Sequence, residues 1–316
     1  MAQKSAAPIG GRLVTQNGNV KVTTVVITPI NMGNGNHVLR DNETNALITG
    51  GNGNNRITER GIRASITLGD GNNTITDLAG GAVIKTGKGN ATINLGGTAN
   101  TITTGSTNGG RHDTTFINTG AGSATVMAGD GNMVINAGGA HNIITTGTGN
   151  NKLILGKPGR GNPFERPEGV VAGTTIPVTS DTVHLGNGNN LLFLAGSGNT
   201  IYDGSGTDTI RGAGTGNNTF VLNAAGGTEI ISGFNLTNGD ALDLRTILTG
   251  VTGAAIKADP AAFLTVTSKT DAHNSVWTDT VLTVKGAGGT ANVTLINSGA
   301  LTLPALLAGK SLTLPN

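Results

Sequence analysis

Gly50-Gly51-Asn52-Gly53-Asn54-Asn55-Arg56-Ile57-Thr58 is the stretch on which the fold turns. A glycine-rich turn leads into a short run where one apolar residue, Ile57, stands between polar ones. The unit returns every nine residues. Ile48, Ile57, Ile66, Ile75, Ile84, Ile93 and Ile102 keep the beat, Ile117, Val126, Ile135, Ile144 and Leu153 resume it, and Val183, Leu192, Ile201 and Ile210 resume it again. A unit with one apolar side chain cannot hide it alone, so it must stack on copies of itself. In Ile66-Thr67-Leu68 and Ile93-Asn94-Leu95 the alternation predicts strands whose first and third residues point inward. The glycines allow positive φ at the corners. Two units, eighteen residues, close one coil with a strand on each of two faces. The predicted fold is therefore all-β: a parallel β-roll, or β-solenoid, of nine-residue half-coils whose coils pair about 4.8 Å apart. A helix would need apolar residues at a 3.6 period and few glycines.

Outward from this stretch, the chain divides into three zones. Residues 1–29 form an N-terminal lead with a capping or edge strand over Val20 to Ile27. Residues 30–222 form the repeat array, interrupted at 106–115 and by a proline-rich excursion at 157–180. Residues 223–316 lose the beat and read as a β-rich C-terminal domain. Of 316 residues 53 are Gly, and only 12% are charged and 3% aromatic, which fits a thin-cored scaffold rather than an ordinary globular domain. Regularly placed Ile, Val and Thr argue against disorder. The absence of Cys excludes disulfides and thiolate metal sites. A net charge of +2 with scattered basic residues speaks against nucleic acid. No apolar run is long enough to span a membrane, and the first residues do not read as a signal peptide.

No catalytic constellation emerges. His37, His112, His141, His184 and His273 fall in different repeats and none forms H-E-x-x-H; no Ser occupies a G-x-S-x-G elbow. Gly309-Lys310-Ser311 lacks a phosphate-loop glycine at Pro304. The chain is expected not to be an enzyme and to carry no cofactor, calcium at a few sites apart.

The repeat resembles the RTX nonapeptide G-G-x-G-x-D-x-U-x, the calcium-binding β-roll repeat of bacterial proteins exported by type I secretion. A second resemblance lies in Thr219 to Leu222, Ile231 to Phe234, Gly239 to Leu244, Asp279 to Val284 and Leu306 to Leu312, which look like the C-terminal domain of type I secretion substrates. The resemblance implies a secreted or cell-surface protein whose partner is the type I secretion machinery.

One departure changes the chemistry. Where the family has Asp at the sixth repeat position, this chain has Asn55, Asn73, Asn100, Asn142, Asn151, Asn190 and Asn199, with Ala91, Ala124 and Met133 elsewhere, while Asp208 keeps the acid. Calcium affinity rises with the number of carboxylates. The expectation is a largely calcium-independent roll held by an Asn ladder, with residual calcium confined to Asp203 and Asp208. Asp70 and Asp130 read as solvated surface acids.

These features point to a non-enzymatic structural protein of the extracellular matrix, biofilm or cell surface that self-assembles as a homo-oligomer or filament. Two other readings follow from other features. An adhesin for polysaccharide or ice would use the 157–180 loop, with Arg160, Glu165, Arg166 and Glu168, or the outward Thr58, Thr67, Thr76 and Thr103. A calcium-dependent RTX protein would fold after export. Ile154, Phe193 and Tyr202 are expected to face outward as an apolar strip.

Overall fold

The computed structural model describes residues 8–9, 12–15, 21–25, 29–107, 113–156, 180–212, 216–271, 274–308 and 311–316. It is an all-β parallel solenoid, as the repeats require. The chain divides after Thr148 into two compact units, taken in turn below.

In the first unit, one sheet carries Ile30–Met32, Leu47–Gly50, Ser65–Leu68, Val83–Lys85, Asn100–Thr103, Ala124–Met127 and Ile143–Thr145. The other carries Val38–Asp41, Arg56–Glu59, Thr74–Asp77, Thr92–Leu95, Thr114–Asn118 and Asn132–Ala137. Pairing is parallel and in register, so identical repeat positions stack: Ile48 on Ile66 on Ile84 on Ile102, and Ile57 on Ile75 on Ile93 on Ile117. These isoleucines are at most 2% exposed. Each contributes about 1.5–3 kcal/mol of burial, which is how so thin a core suffices. Arg12–Thr15 and Lys21–Val25, in the lead, are themselves parallel neighbours of Ile30–Met32 and Val38–Asp41.

The 106–115 interruption leaves the register intact: Thr92 pairs with Phe116 and Asn100 with Ala124, 24 residues on instead of 18. Residues 108–112, with His112, lie outside the described residues.

The nine-residue beat conceals an eighteen-residue one, because the two edges of the coil turn differently. One edge uses glycine at the fourth turn position with φ near 130°, as at Gly35 (131°), Gly53 (135°) and Gly71 (129°). The opposite edge places a left-handed residue at the fifth position: Asn45 (59°), Arg63 (62°), Ala99 (58°) and His141 (60°). His141 is thus a corner residue.

In the second unit the first sheet holds Thr182–His184, Thr200–Tyr202, Thr219–Val221, Ala241–Asp243 and Leu312–Thr313. The second holds Lys152–Leu155, Leu191–Phe193, Thr207–Arg211, Gly227–Ser232 and Thr290–Ile296, then the antiparallel Thr278–Lys285 and Leu264–Thr270. The beat stops near residue 222 but the parallel ladder does not: Thr207 pairs with Thr228 and Phe220 with Leu242. Longer turns hide the repeat from the sequence without ending the coil. Two short helices, Gly253–Ala258 and Leu303–Ala308, interrupt the β region. Ile154, expected to face outward, is 1% exposed, in register with a half-buried Phe193 that Lys152 and Arg211 flank through cation–π contacts. Tyr202 is exposed and stacks on His184 at 4.2 Å. Among the described residues no helix is long and apolar enough to cross a membrane.

Candidate functional site

The chemistry of this chain sits in its turns. Three side-chain ladders run along the Gly-x-Gly edge, and each turn position has its own role. At the third position a side-chain oxygen accepts the backbone N–H of the next coil: Asn52 donates to Asn34 Oδ1 (2.8 Å), Asp70 to Asn52 Oδ1 (2.9 Å) and Lys88 to Asp70 Oδ1 (2.7 Å). At the fifth position the pattern repeats, with Asn54 donating to Asn36, Asn72 to Asn54 and Asn90 to Asn72 over 2.7–3.0 Å. Asp70 and Asp130 are therefore not idle surface acids; Thr148 N–H donates to Asp130 Oδ1 at 2.8 Å. Sequence reading missed this because an exposed acid looks solvated until its neighbour eighteen residues away is placed above it.

The sixth position demands more. Asn73 Nδ2 donates to the carbonyls of Gly69 (3.0 Å) and Gly71 (3.3 Å) in its own turn. Its Oδ1 accepts the backbone N–H (3.2 Å) and Nδ2 (3.1 Å) of Asn55. An amide supplies donor and acceptor together, whereas an ionised carboxylate accepts alone and needs a proton or a cation to serve the carbonyls. In the second unit the ladder runs Asn151 to Asn190 to Asp208, and on the other edge Asn199 to Asn218 to Asp240. Asn100 and Asn142 each serve their own turn and accept the N–H of an alanine, Ala82 and Ala124. The predicted ladder is therefore broken into short runs, because alternate half-coils lie on opposite edges and several sixth positions hold Ala or Met. His37 continues the Asn55 run: its N–H donates to Asn55 Oδ1, and its Nε2 lies 2.8 Å from Gly33 O.

Asp208 carries an acid at the sixth position, as Asp181 and Asp240 do on the other edge. Its Oδ1 accepts from Asn190 N–H (3.0 Å) and Nδ2 (2.8 Å), and its Oδ2 from Gly204 N–H (3.2 Å). It has no donor for the turn carbonyls that an Asn would serve. Beside it stand Asp203, from the same turn, and Glu229, its register partner in the next coil. Both carboxyl oxygens of Asp203 and both of Glu229 are buried without a hydrogen-bond partner. A Cβ built on Gly227 would lie 2.9 Å from Glu229 Oε1, 3.3 Å from Gly206 O and 3.5 Å from Gly204 O, so these oxygens gather around one point of the backbone. Burial, followed by the neighbouring Glu229, drives the Asp203 carboxyl far up; burial raises Glu229 as well. Among the described residues no three acidic or histidine side chains stand as a ready set of metal ligands. The Asp203 and Glu229 carboxyls, within hydrogen-bonding reach of each other, and the turn carbonyls make an all-oxygen set of the kind that suits a hard cation. Of the pair singled out from sequence, Asp203 keeps its oxygens free and Asp208 does not; Glu229, outside the recognised repeats, takes the second place.

The outward threonines form no continuous lattice. In one row of the first unit Thr49, Thr67, Lys85, Thr103, Met127 and Thr145 stack in register, so a lysine and a methionine break the rank. On the other face Thr58 and Thr76 give way to Asn94 and Asn118. The 157–180 excursion with Arg160, Glu165, Arg166 and Glu168 lies outside the described residues except Ser180, as does His273. Comparison with protein-family models, with curated proteins and with solved structures returned no match. What the coordinates define is a class, a parallel β-solenoid of the β-roll type with amide-laddered edges.

Proposed function

We propose that this chain is a secreted, non-enzymatic structural protein of the cell surface or extracellular matrix, a stiff roll that associates with copies of itself. The observation that carries the reading is the filled turn. Asn73 and Asn190 already satisfy the carbonyls that calcium would ligate in an RTX roll, so most of the coil stands on its own side chains. The resemblance of the repeats and of the C-terminal stretches to type I secretion substrates supports the route of export. The outermost described strand of the second unit, Leu264–Thr270, pairs on one side only, and such an edge is a natural place for a neighbouring chain to add. Negative-stain electron microscopy of the purified protein is expected to show filaments or sheets. A protein that stays monomeric at every concentration and salt condition overturns the structural reading.

Calcium-assisted folding is a second reading with its own support, confined to one place. The four unpartnered oxygens of Asp203 and Glu229 favour a single hard cation there. Terbium luminescence is expected to report one saturable site that calcium competes for and that Asp203→Asn with Glu229→Gln removes. Circular dichroism in chelator is expected to keep the β signal, since the laddered turns need no ion. Loss of the β signal in chelator would instead mean that the roll as a whole depends on calcium.

A further inference from the structure

Asp41, Glu59 and Asp77 occupy the first turn position on the edge whose sixth position is alanine. They stack in register on three successive coils, Asp41 on Glu59 on Asp77, and each is 0% exposed. One oxygen of each caps its own turn: Asp41 Oδ1 accepts from Asn42, Glu59 Oε1 from Arg60 and Gly61, and Asp77 Oδ1 from Ala79. The second oxygen of each, Asp41 Oδ2, Glu59 Oε2 and Asp77 Oδ2, is buried with no partner.

Among the described residues no counter-charge is paired with these acids. Arg40, Arg56, Arg60, Arg63 and Lys85 are all exposed, Arg63 Nε is spent on Asn45 Oδ1, and Glu43 adds repulsion to Asp41. Ala46, Ala64 and Ala82, the sixth residues of the same turns, are all buried. Leu95 follows Asp77 in the row. Calcium needs six to eight oxygens, and the unpartnered ones here come one to a coil. Asp243, in the second unit, shows the contrast: burial would raise it, but Arg245 outweighs burial and holds it low.

We propose that Asp41, Glu59 and Asp77 form a proton-sharing seam, in which a proton on the central carboxyl joins neighbouring coils and its loss as pH rises loosens this part of the roll. A protonated Glu59 donates its O–H to a carboxylate oxygen of Asp41 or Asp77, so one proton satisfies two orphaned oxygens. No bond other than O–H is made or broken, and the proton leaves to solvent when the coils part.

Burial, then the charges of Asp41 and Asp77, lifts Glu59 from its ordinary 4.5 to about 7, and burial raises Asp41 and Asp77. For a raised carboxyl, the stabilisation is complete below the unfolded value and is lost as pH climbs through the folded one. The window is therefore about 4.5 to 7. Acids elsewhere in the chain titrate too, so the test compares full-length wild type with Glu59→Gln, an amide that cannot ionise yet can still donate. Hydrogen exchange of the 56–79 amides reads local opening. The ratio of the opening constant in the variant to that in wild type is expected to fall at least about tenfold between pH 4.5 and 8, within the limit set by a shift of this size. Asp77→Asn serves as a second variant with the same expected sign. A ratio that does not change with pH in either variant overturns the seam. So does a stabilisation of residues 56–79 by added calcium in wild type that Glu59→Gln abolishes, since that would assign the oxygens to a cation.

Discussion

Asn190→Asp is expected to cost about 3–5 kcal/mol at neutral pH, read as a lower urea midpoint by far-ultraviolet circular dichroism. The amide at Asn190 donates to Gly186 O (2.9 Å) and to Asp208 Oδ1 (2.8 Å), with Gly188 O at 3.5 Å. A carboxylate there loses each of these bonds and sets one buried negative charge against another. Acidification should return part of the loss, because a protonated carboxyl donates again. Asn187→Asp, in the same turn, is the matched control. Asn187 only accepts, from Ser205 N–H at 3.1 Å, and it is exposed, so the change is expected to stay within about 0.5 kcal/mol. Equal effects from the two substitutions would show that the distinction between turn positions has no energetic weight, and the metal-free account of the roll would go with it.

Gly71→Ala is expected to be the most damaging glycine substitution of a comparable pair, with Gly250→Ala as its partner. Gly71 has φ of 129°, outside the range of an L side chain, and an added Cβ would meet Gly53 O at 2.3 Å and Gly53 C at 2.7 Å in the adjacent coil. The coils must part locally to admit it, which breaks the ladder bonds of this turn at a cost of roughly 3 kcal/mol or more. Gly250 also has positive φ, 86°, but nothing lies within 4 Å of its added Cβ. Its replacement should cost only the left-handed penalty, about 1–2 kcal/mol. Thermal unfolding of the two variants side by side separates close coil packing from backbone preference. A Gly71→Ala protein as stable as Gly250→Ala would mean that the turns are not in contact.

The substitution that removes the family's acid was legible from residues alone, but its effect was not. Asn55 and Asn73 stack as the sequence suggested, whereas Asn100 and Asn142 take the N–H of an alanine, Ala82 and Ala124. The work of Asp70 and Asp130 was invisible because an exposed acid and a ladder acceptor have the same one-letter signature. Asn218, Asp240 and Glu229 escaped notice for another reason. Turns lengthened by a few residues broke the beat, although Gly216-Asn217-Asn218-Thr219-Phe220 still carries the turn-then-apolar form. Asp41, Glu59 and Asp77 sit where other repeats carry Gly50, Leu68, Thr86 or Leu95, so no pattern drew attention to them.

By itself the sequence determined the parallel coil, its inward isoleucines and its glycine corners, because each of these follows from a nine-residue period and from steric rules acting within one repeat. Tertiary structure alone decided which edge each turn occupies, which carboxyls face one another across successive coils and which oxygens are left without a donor. Those outcomes depend on contacts between residues eighteen or more apart, where an inserted residue or a substituted neighbour changes the partner without changing the local pattern.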